Sequence, residues 1–264
     1  MTPEGGDVTG NDLTEAEIRR YARHIVLPEL GGIGQLRLKA ARVLVVGAGG
    51  LGSPILLYLA AAGVGTLGVL DDDRVDDSNL QRQVLFETAS HGTLKATAAV
   101  ERLQRLNPHV TVAPHALRLD AGNARALVGS YDLVADGSDN LATRIAVHDA
   151  CRDLRRPLVS AAVQGLDGQL TTYKSYLGAP HPCLRCVFAE GLGGDALPTC
   201  AQGGVLGPAA GVVGTLQAVE IVKELAGIGS SLSGTLLLYD AGAAHLERIR
   251  IGRRPGCTGC AGYP

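Results

Sequence analysis

Apolar residues along this chain fall into two rhythms. Short continuous runs bounded by glycine or polar residues predict buried strands at Val43 to Val46, Thr66 to Leu70, Val110 to Pro114, Tyr131 to Ala135 and Pro157 to Ala162. An alternating run from Gly168 to Tyr176 predicts a sixth, and Thr235 to Asp240 with His245 to Ile251 two more. Between them, apolar positions recurring every three or four residues predict helices at Ile55 to Ala62, Lys95 to about Leu106 and Asn123 to Gly129, and another beyond Asp139. That last helix carries Leu141, Ile145, His148 and Arg152 on one face and Val147, Cys151 and Leu154 on its apolar side, with Cys151 a small core residue. Strands alternating with helices in this way describe an α/β domain.

The two ends of the chain read differently. Thr14 and Glu17 form a capping box, and Ile18, Tyr21, Ala22 and Ile25 follow at helical spacing, with Arg19, Arg20 and Arg23 as a solvated basic face. Pro28 and the Gly31-Gly32 pair should end that helix and lead into a linker. Near the other end, Pro208 opens a helix with Val212, Leu216, Val219 and Val222 on one face, closed by Gly227. The glycine-rich segment from Leu192 to Gly207 has neither period, and a stretch that long is usually functional or disordered.

Composition narrows the picture. A chain of 264 residues with 46% hydrophobic content suits one large α/β domain, and its net charge of −2 gives no hint of nucleic acid or of an anionic membrane as partner. No apolar run approaches the ~20 residues of a membrane span. Met1 to Asn11 is polar and acidic, unlike a secretory signal, so residues 1–13 are expected to be a disordered arm and the protein cytoplasmic.

The chemistry centres on Gly47-Ala48-Gly49-Gly50-Leu51-Gly52. Gly47, Gly49 and Gly52 have the G-x-G-x-x-G spacing between a strand and a helix start, which makes a phosphate cradle from close backbone approach and unpaired N–H groups. Asp71, nineteen residues after Gly52, stands at the end of the second strand, where an acid typically accepts from a ribose hydroxyl. Three acids in a row there (Asp71, Asp72, Asp73) would repel without a partner. The polar run Ser78-Asn79-Leu80-Gln81-Arg82-Gln83 supplies donors, acceptors and a planar guanidinium for phosphate oxygens. Lys95 opposes the macrodipole of the helix it begins, a cost unless an anion compensates. Asp139, after the fourth strand, reads both as a helix N-cap and as a carboxylate over the ligand crevice that could hold Mg²⁺.

Six cysteines divide unevenly. Cys183 with Cys186 and Cys257 with Cys260 are two C-x-x-C hooks, which in a cytoplasmic chain read as a closed tetrahedral Zn²⁺ site before they read as disulfides. Cys200, alone in the glycine-rich loop, is unlike a core cysteine.

From about Thr14 to Cys260 the sequence resembles the MoeB/ThiF/HesA group, bacterial relatives of the ubiquitin-activating enzymes. The matches are Arg20-Tyr21-Ala22-Arg23, the glycine turn, Asp71-Asp72-Asp73 with Ser-Asn-Leu-Gln-Arg-Gln, Lys95, Ser138-Asp139-Asn140 and both cysteine hooks. The resemblance implies adenylation by ATP of the C-terminal glycine carboxylate of a small ubiquitin-like sulfur-carrier protein ending in Gly-Gly. It implies that Gly50 and Asp71 hold the nucleotide, with Asp73, Leu80 and Gln81 in the same nucleotide-binding set. Ser78, Asn79 and Arg82 would contact ribose and phosphates, Lys95 the phosphates, and Asp139, with Asn140 beside it, Mg²⁺. Arg23 would reach the phosphates of a partner subunit, which implies a homodimer and replaces the solvated-face reading of the first helix. Cys200 corresponds to a cysteine linked in relatives to a covalent intermediate. Relatives often carry Glu where this chain has Gln202. The chain stops soon after Cys260, so a separate sulfur donor is expected in place of a rhodanese-like domain.

The expected architecture is a Rossmann-like, doubly wound α/β fold with a mixed, mostly parallel sheet and a zinc-bound C-terminal portion. Residues 14–264 would be one adenylation domain, with 14–165 binding nucleotide and 166–264 binding carrier and zinc. Three other readings compete. An NAD-dependent oxidoreductase explains Gly47 to Gly52 and Asp71 but leaves Arg82, Lys95, Asp139 and Arg23 without work. A non-catalytic, zinc-stabilised carrier-binding module ignores the same charged set. A relative acting on a carboxylate of modified tRNA would call for a basic stripe that the chain lacks.

Overall fold

Strand β1 (Arg42–Val46) sends alternate side chains to opposite faces of the sheet, as the period of a strand dictates. Val43 and Val45 join the apolar cluster on one face, and Leu44 and Val46 the cluster on the other. A strand buried on both sides is what a continuous apolar run encodes. The computed structural model describes residues 12–188 and 203–262. In it, β2 (Thr66–Leu70), β3 (Thr111–His115), β4 (Leu133–Asp136) and β5 (Leu158–Gln164) join β1 in parallel pairs. β6 (Asp167–Tyr173), β7 (Thr235–Asp240) and β8 (His245–Arg250) continue the same sheet in antiparallel pairs.

The strand order is β3-β2-β1-β4-β5-β6-β7-β8, so the sheet is mixed and mostly parallel in its first half. Helices α4 (Gly52–Ala62), α5 (Lys95–Leu106) and α9 (Gly207–Ala226) cover one face through Ile55, Leu59, Leu103, Val213 and Ile221. Helices α6 (Ala124–Gly129) and α7 (Leu141–Asp153) cover the other through Val128, Val147 and Cys151, the last a core side chain as its sequence context predicts, and the short α8 (Leu184–Val187) adds Leu184 to the same cluster. Connections after β1 and β4 leave in different directions, and that reversal of strand order opens a crevice at the carboxyl ends of the two strands.

Four expectations need correction. The first helix is not continuous: α1 (Glu15–Arg20) and α2 (Ala22–Ile25) break at Tyr21, whose φ of −97° and ψ of 13° are not helical. Tyr21 is pulled into the core, where its hydroxyl accepts from Asn107 Nδ2 at 2.8 Å. The expected linker is instead α3 (Gly31–Ala40), held by Lys39 to Glu17 at 2.9 Å and by the Gln35 amide to the Ala62 carbonyl at 2.8 Å. On α9 the stripe of Val212, Leu216, Val219 and Val222 is only partly buried, Leu216 and Val222 packing against the core. Val212 and Val219 are exposed, whereas Val213, Gln217, Ala218 and Ile221 are buried, because the facing surface of α4 and the sheet admits small side chains. Gly214 shows this constraint: a Cβ there would meet the Leu51 carbonyl at 2.6 Å. Finally, β6 ends at Tyr173, and Ser175–Leu177 form a 3-10 turn.

Candidate active site

The connection from β1 to α4 is compressed as far as backbone allows. Gly47 has φ of +88°, and a Cβ at Gly52 would lie 1.9 Å from the Gly47 carbonyl oxygen. Only glycine fits either place. Gly47 also lies against the chain after β4, where a Cβ would stand 3.2 Å from the Gly137 carbonyl. The turn therefore sits at the strand-order reversal with the first N–H groups of α4 beside it. Gly50 faces the start of α9 and the Arg82 side chain, and Gly49 faces Gln83.

Asp71 is buried at the end of β2 and braces this turn. Its carboxylate accepts from the Ala48 N–H at 2.8 Å and from the Asp73 N–H at 3.0 Å. Burial pushes its pKa above the usual carboxylate value, opposed by Lys95 and the two N–H donors. Lys95 is buried and bonds the exposed Asp73 carboxylate at 2.8 Å, which answers both the unfavourable helix-start lysine and the run of three acids. Asp72 is exposed.

The polar run forms a 3-10 turn, Asp77–Asn79, capped by Asp76 through the Ser78 N–H. Ser78 also gives its hydroxyl to Asp76. Arg82 donates to the Ser78 carbonyl at 3.1 Å and to Asn79 Oδ1 at 3.1 Å, and Gln83 Nε2 donates to the same Oδ1 at 2.9 Å. Leu80 packs against the core, and Gln81 is exposed with its carbonyl pressed on Gly207. Gln83, the last residue of the polar run, is buried at 3% exposure, which its place at the edge of that run does not announce.

After β4, Asn140 rather than Asp139 caps α7: its Oδ1 accepts from Thr143 N–H at 2.9 Å, the third amide of the helix. Asp139 is left exposed, without a hydrogen-bond partner among the described residues, at the carboxyl end of a parallel strand. A free carboxylate oxygen there suits a hard divalent cation such as Mg²⁺. Asp136, at the end of β4, turns inward and accepts from Ser138 N–H at 3.0 Å and Ser160 Oγ at 2.9 Å, a role that no local pattern signals. Gln217 of α9 donates to the Asp136 carbonyl at 2.9 Å and to Val159 at 2.8 Å, and Arg144 ties the loop to the Ala161 carbonyl at 3.0 Å. Position 139 therefore stands on a braced loop.

Arg23 is exposed and has no partner among the described residues. The helices bearing it are anchored to α3, to Asn107 and to the Leu106 carbonyl, not to the glycine turn. Cys200 and Gln202 lie outside the described residues.

The cysteine hooks come together as spacing predicts. The Sγ atoms of Cys183, Cys186, Cys257 and Cys260 lie within 4.8 Å of one another. The contacts are 3.7 Å for Cys183–Cys186, 3.5 Å for Cys183–Cys257 and 3.4 Å for Cys186–Cys260. Disulfide sulfurs stand about 2.05 Å apart. A tetrahedron with bonds of about 2.3 Å has edges near ~3.8 Å, so the cluster could hold zinc. Helix α7 grips both hooks. His148 Nε2 accepts from Leu184 N–H at 3.1 Å, Asp149 takes Arg185 bidentately at 2.7 and 2.8 Å, and Arg152 donates to the Gly259 carbonyl at 2.9 Å. Burial pushes the His148 pKa down, which keeps that ring neutral and able to accept. Burial alone would raise the Asp149 pKa, but the bonds to Arg185 and His148 outweigh it and hold the carboxyl well below its usual range.

A glycine turn at a strand-order reversal, with buried cation and carboxylate beside it, defines a doubly wound α/β protein with a cysteine-clasped antiparallel extension, a fold class in which such turns cradle nucleotide phosphates. The ThiF family profile matches residues 21–259, and the chain belongs to that family. The chain is 52% identical over 253 residues to the adenylyltransferase and sulfurtransferase MOCS3 of Bos taurus, covering 96% of this chain and 55% of that protein. It thus spans little more than half of that relative. A sulfur carrier protein adenylyltransferase of Thermus thermophilus is 47% identical over 253 residues, covering 95% of this chain and 93% of its own length. Among solved structures, Escherichia coli MccB with ATP has the same fold, with a TM-score of 0.79 at 21% identity, covering 96% of this chain and 77% of that one. Among the described residues, no helix is long and apolar enough to cross a membrane.

Proposed function

We propose that the chain uses ATP to adenylate the C-terminal glycine carboxylate of a small ubiquitin-like sulfur-carrier protein ending in Gly-Gly. The observation that carries this reading is the grouping of Lys95, Arg82 and Asn79 near the Gly47–Gly52 turn, a charged set that a dinucleotide site does not need. The names borne by the two relatives favour the same chemistry. The NAD-dependent oxidoreductase and the non-catalytic binding module are not favoured.

The residues divide the work by chemistry. N–H groups of the glycine turn attract phosphate oxygens, and Asp71 has lone pairs left for ribose hydroxyls after accepting its two backbone bonds. Lys95 exchanges Asp73 for a phosphate oxygen, and Arg82 and Asn79 face the same charge. The carrier carboxylate attacks the α-phosphorus: a carboxyl oxygen–phosphorus bond forms, and the bond from the α-phosphorus to the α,β-bridging oxygen breaks as pyrophosphate leaves with its electron pair. Fixed cations stabilise the charge that develops without having to reorganise. Asp139 would hold Mg²⁺, which neutralises phosphate charge. Arg23, exposed and unpaired among the described residues, suits delivery to a second copy of the chain, hence a homodimer with shared sites.

In this reading residues 14–165 serve the nucleotide and 166–264 the carrier and zinc, in a cytoplasmic protein. A separate donor supplies sulfur to the acyl-adenylate, and Cys200 is a candidate to accept the carrier's acyl group. The test is ATP–pyrophosphate exchange with a panel of purified Gly-Gly-ended carriers. Exchange with one of them is the expected result; exchange with none would sink the assignment.

A further inference from the structure

We infer that Gln83 is a positioning residue of the nucleotide site, acting through Asn79; the inference rests on the reading of this site as one for ATP. Two amides and a guanidinium meet there in an arrangement with only one chemical solution. Arg82 Nη2 lies 3.1 Å from the Asn79 side chain, and a guanidinium can only donate, so the Asn79 atom facing it is the carbonyl oxygen. The Gln83 atom 2.9 Å from that same oxygen must then be the amide nitrogen, Nε2. Asn79 Oδ1 thus receives two donors and is fully occupied. Its Nδ2, with two N–H groups, has no partner among the described residues. Gln83 thereby fixes which end of the Asn79 amide remains available to a ligand, and that end is a donor, as phosphate and ribose oxygens require.

The second observation is burial. Gln83 is only 3% exposed and its Oε1 has no hydrogen-bond partner among the described residues. A buried carbonyl oxygen without a donor costs about 1–3 kcal/mol, and a leucine would fill similar space without that cost. The amide is therefore retained against stability. It also lies under the cradle, since a Cβ on Gly49 would stand 3.7 Å from Gln83 Nε2. Arg82 shares the Asn79 oxygen, so the same bond steadies the guanidinium.

The experiment is a double-mutant cycle on the full-length protein, read by calorimetric binding of ATP with Mg²⁺ and by thermal unfolding of each variant. Gln83→Leu is expected to weaken ATP binding about tenfold while keeping or raising the melting temperature. In an Asn79→Ala background the same change is expected to have no further effect on binding. Gln83→Glu, isosteric but unable to donate while ionised, is expected to weaken binding at neutral pH and to recover part of it as the pH falls and the carboxyl gains its proton. Losses that simply add in the double variant, or a Gln83→Leu protein that binds ATP as the unsubstituted one does, would overturn the positioning role alone. Failure of the unsubstituted protein to bind ATP would overturn the ATP reading and this inference together.

Discussion

The glycine turn and the cysteine cluster are both built from short motifs, yet their surroundings differ. Around the cysteines almost every polar group is answered: His148, Asp149 and Arg152 of one helix reach both hooks, and the sulfurs face one another. Around the glycine turn, groups are left open: Asp139, Asn79 Nδ2 and Gln83 Oε1 lack partners among the described residues. Lys95 is bonded to an exposed aspartate that an arriving anion can replace. A closed site stabilises the fold; an open one keeps its interactions for a ligand. The comparison teaches that unanswered polarity, more than the motif, marks where chemistry occurs.

Four measurements can break or sharpen that contrast. Cys257→Ser, or removal of metal by a chelator, should give the largest change, because structural zinc binding contributes on the order of 10 kcal/mol to folding. Thermal unfolding should show the loss; an unchanged melting temperature would mean that the cluster holds no structural metal. Arg82→Ala and Lys95→Ala should each lower kcat for pyrophosphate exchange about a hundredfold, roughly 3 kcal/mol, with little change in melting temperature. Activity within threefold of the unsubstituted protein in both variants would remove the phosphate assignment.

Asp149→Ala should reverse that pattern, lowering stability by about 2 kcal/mol through loss of the bidentate arginine contact and leaving nucleotide affinity nearly intact. Since the folded state holds the Asp149 carboxyl below its ordinary value, its stabilisation is present above the ordinary carboxylate pKa and disappears as the pH falls toward the depressed one. The smallest effect is at Asp71, whose carboxyl is raised by burial. It takes up its proton at a higher pH than an exposed aspartate, so ATP affinity should begin to fall correspondingly early on acidification. Asp71→Asn should flatten that part of the pH profile; a profile identical in the two proteins would separate Asp71 from nucleotide binding.

Much of this architecture was legible because it depends on local periodicity. The runs at Arg42–Val46 and Thr66–Leu70, and the helix Lys95–Leu106, stand where their periodicity places them to within a residue. The cysteine quartet was legible because metal geometry limits the spacing of its ligands. Reading failed where a distant partner outweighed a local preference. Tyr21 leaves the helix to reach Asn107, 86 positions away. On α9, Val212 and Val219 are left exposed because α4 and the sheet meet the side carrying Gly214 and Ala218.

The amino-acid sequence alone determined the strands of the sheet and most of the helices that flank it, the place of the glycine turn and the identity of the candidate ligands, since each follows from residues close together in the chain. Tertiary structure alone decided that Asp73 neutralises Lys95, that Gln217 of α9 braces the Asp136 carbonyl before Asp139, and that Gln83 is buried under the cradle. Hydrogen bonds and burial join residues that sequence separates, and no periodicity records which of several polar groups will find a partner.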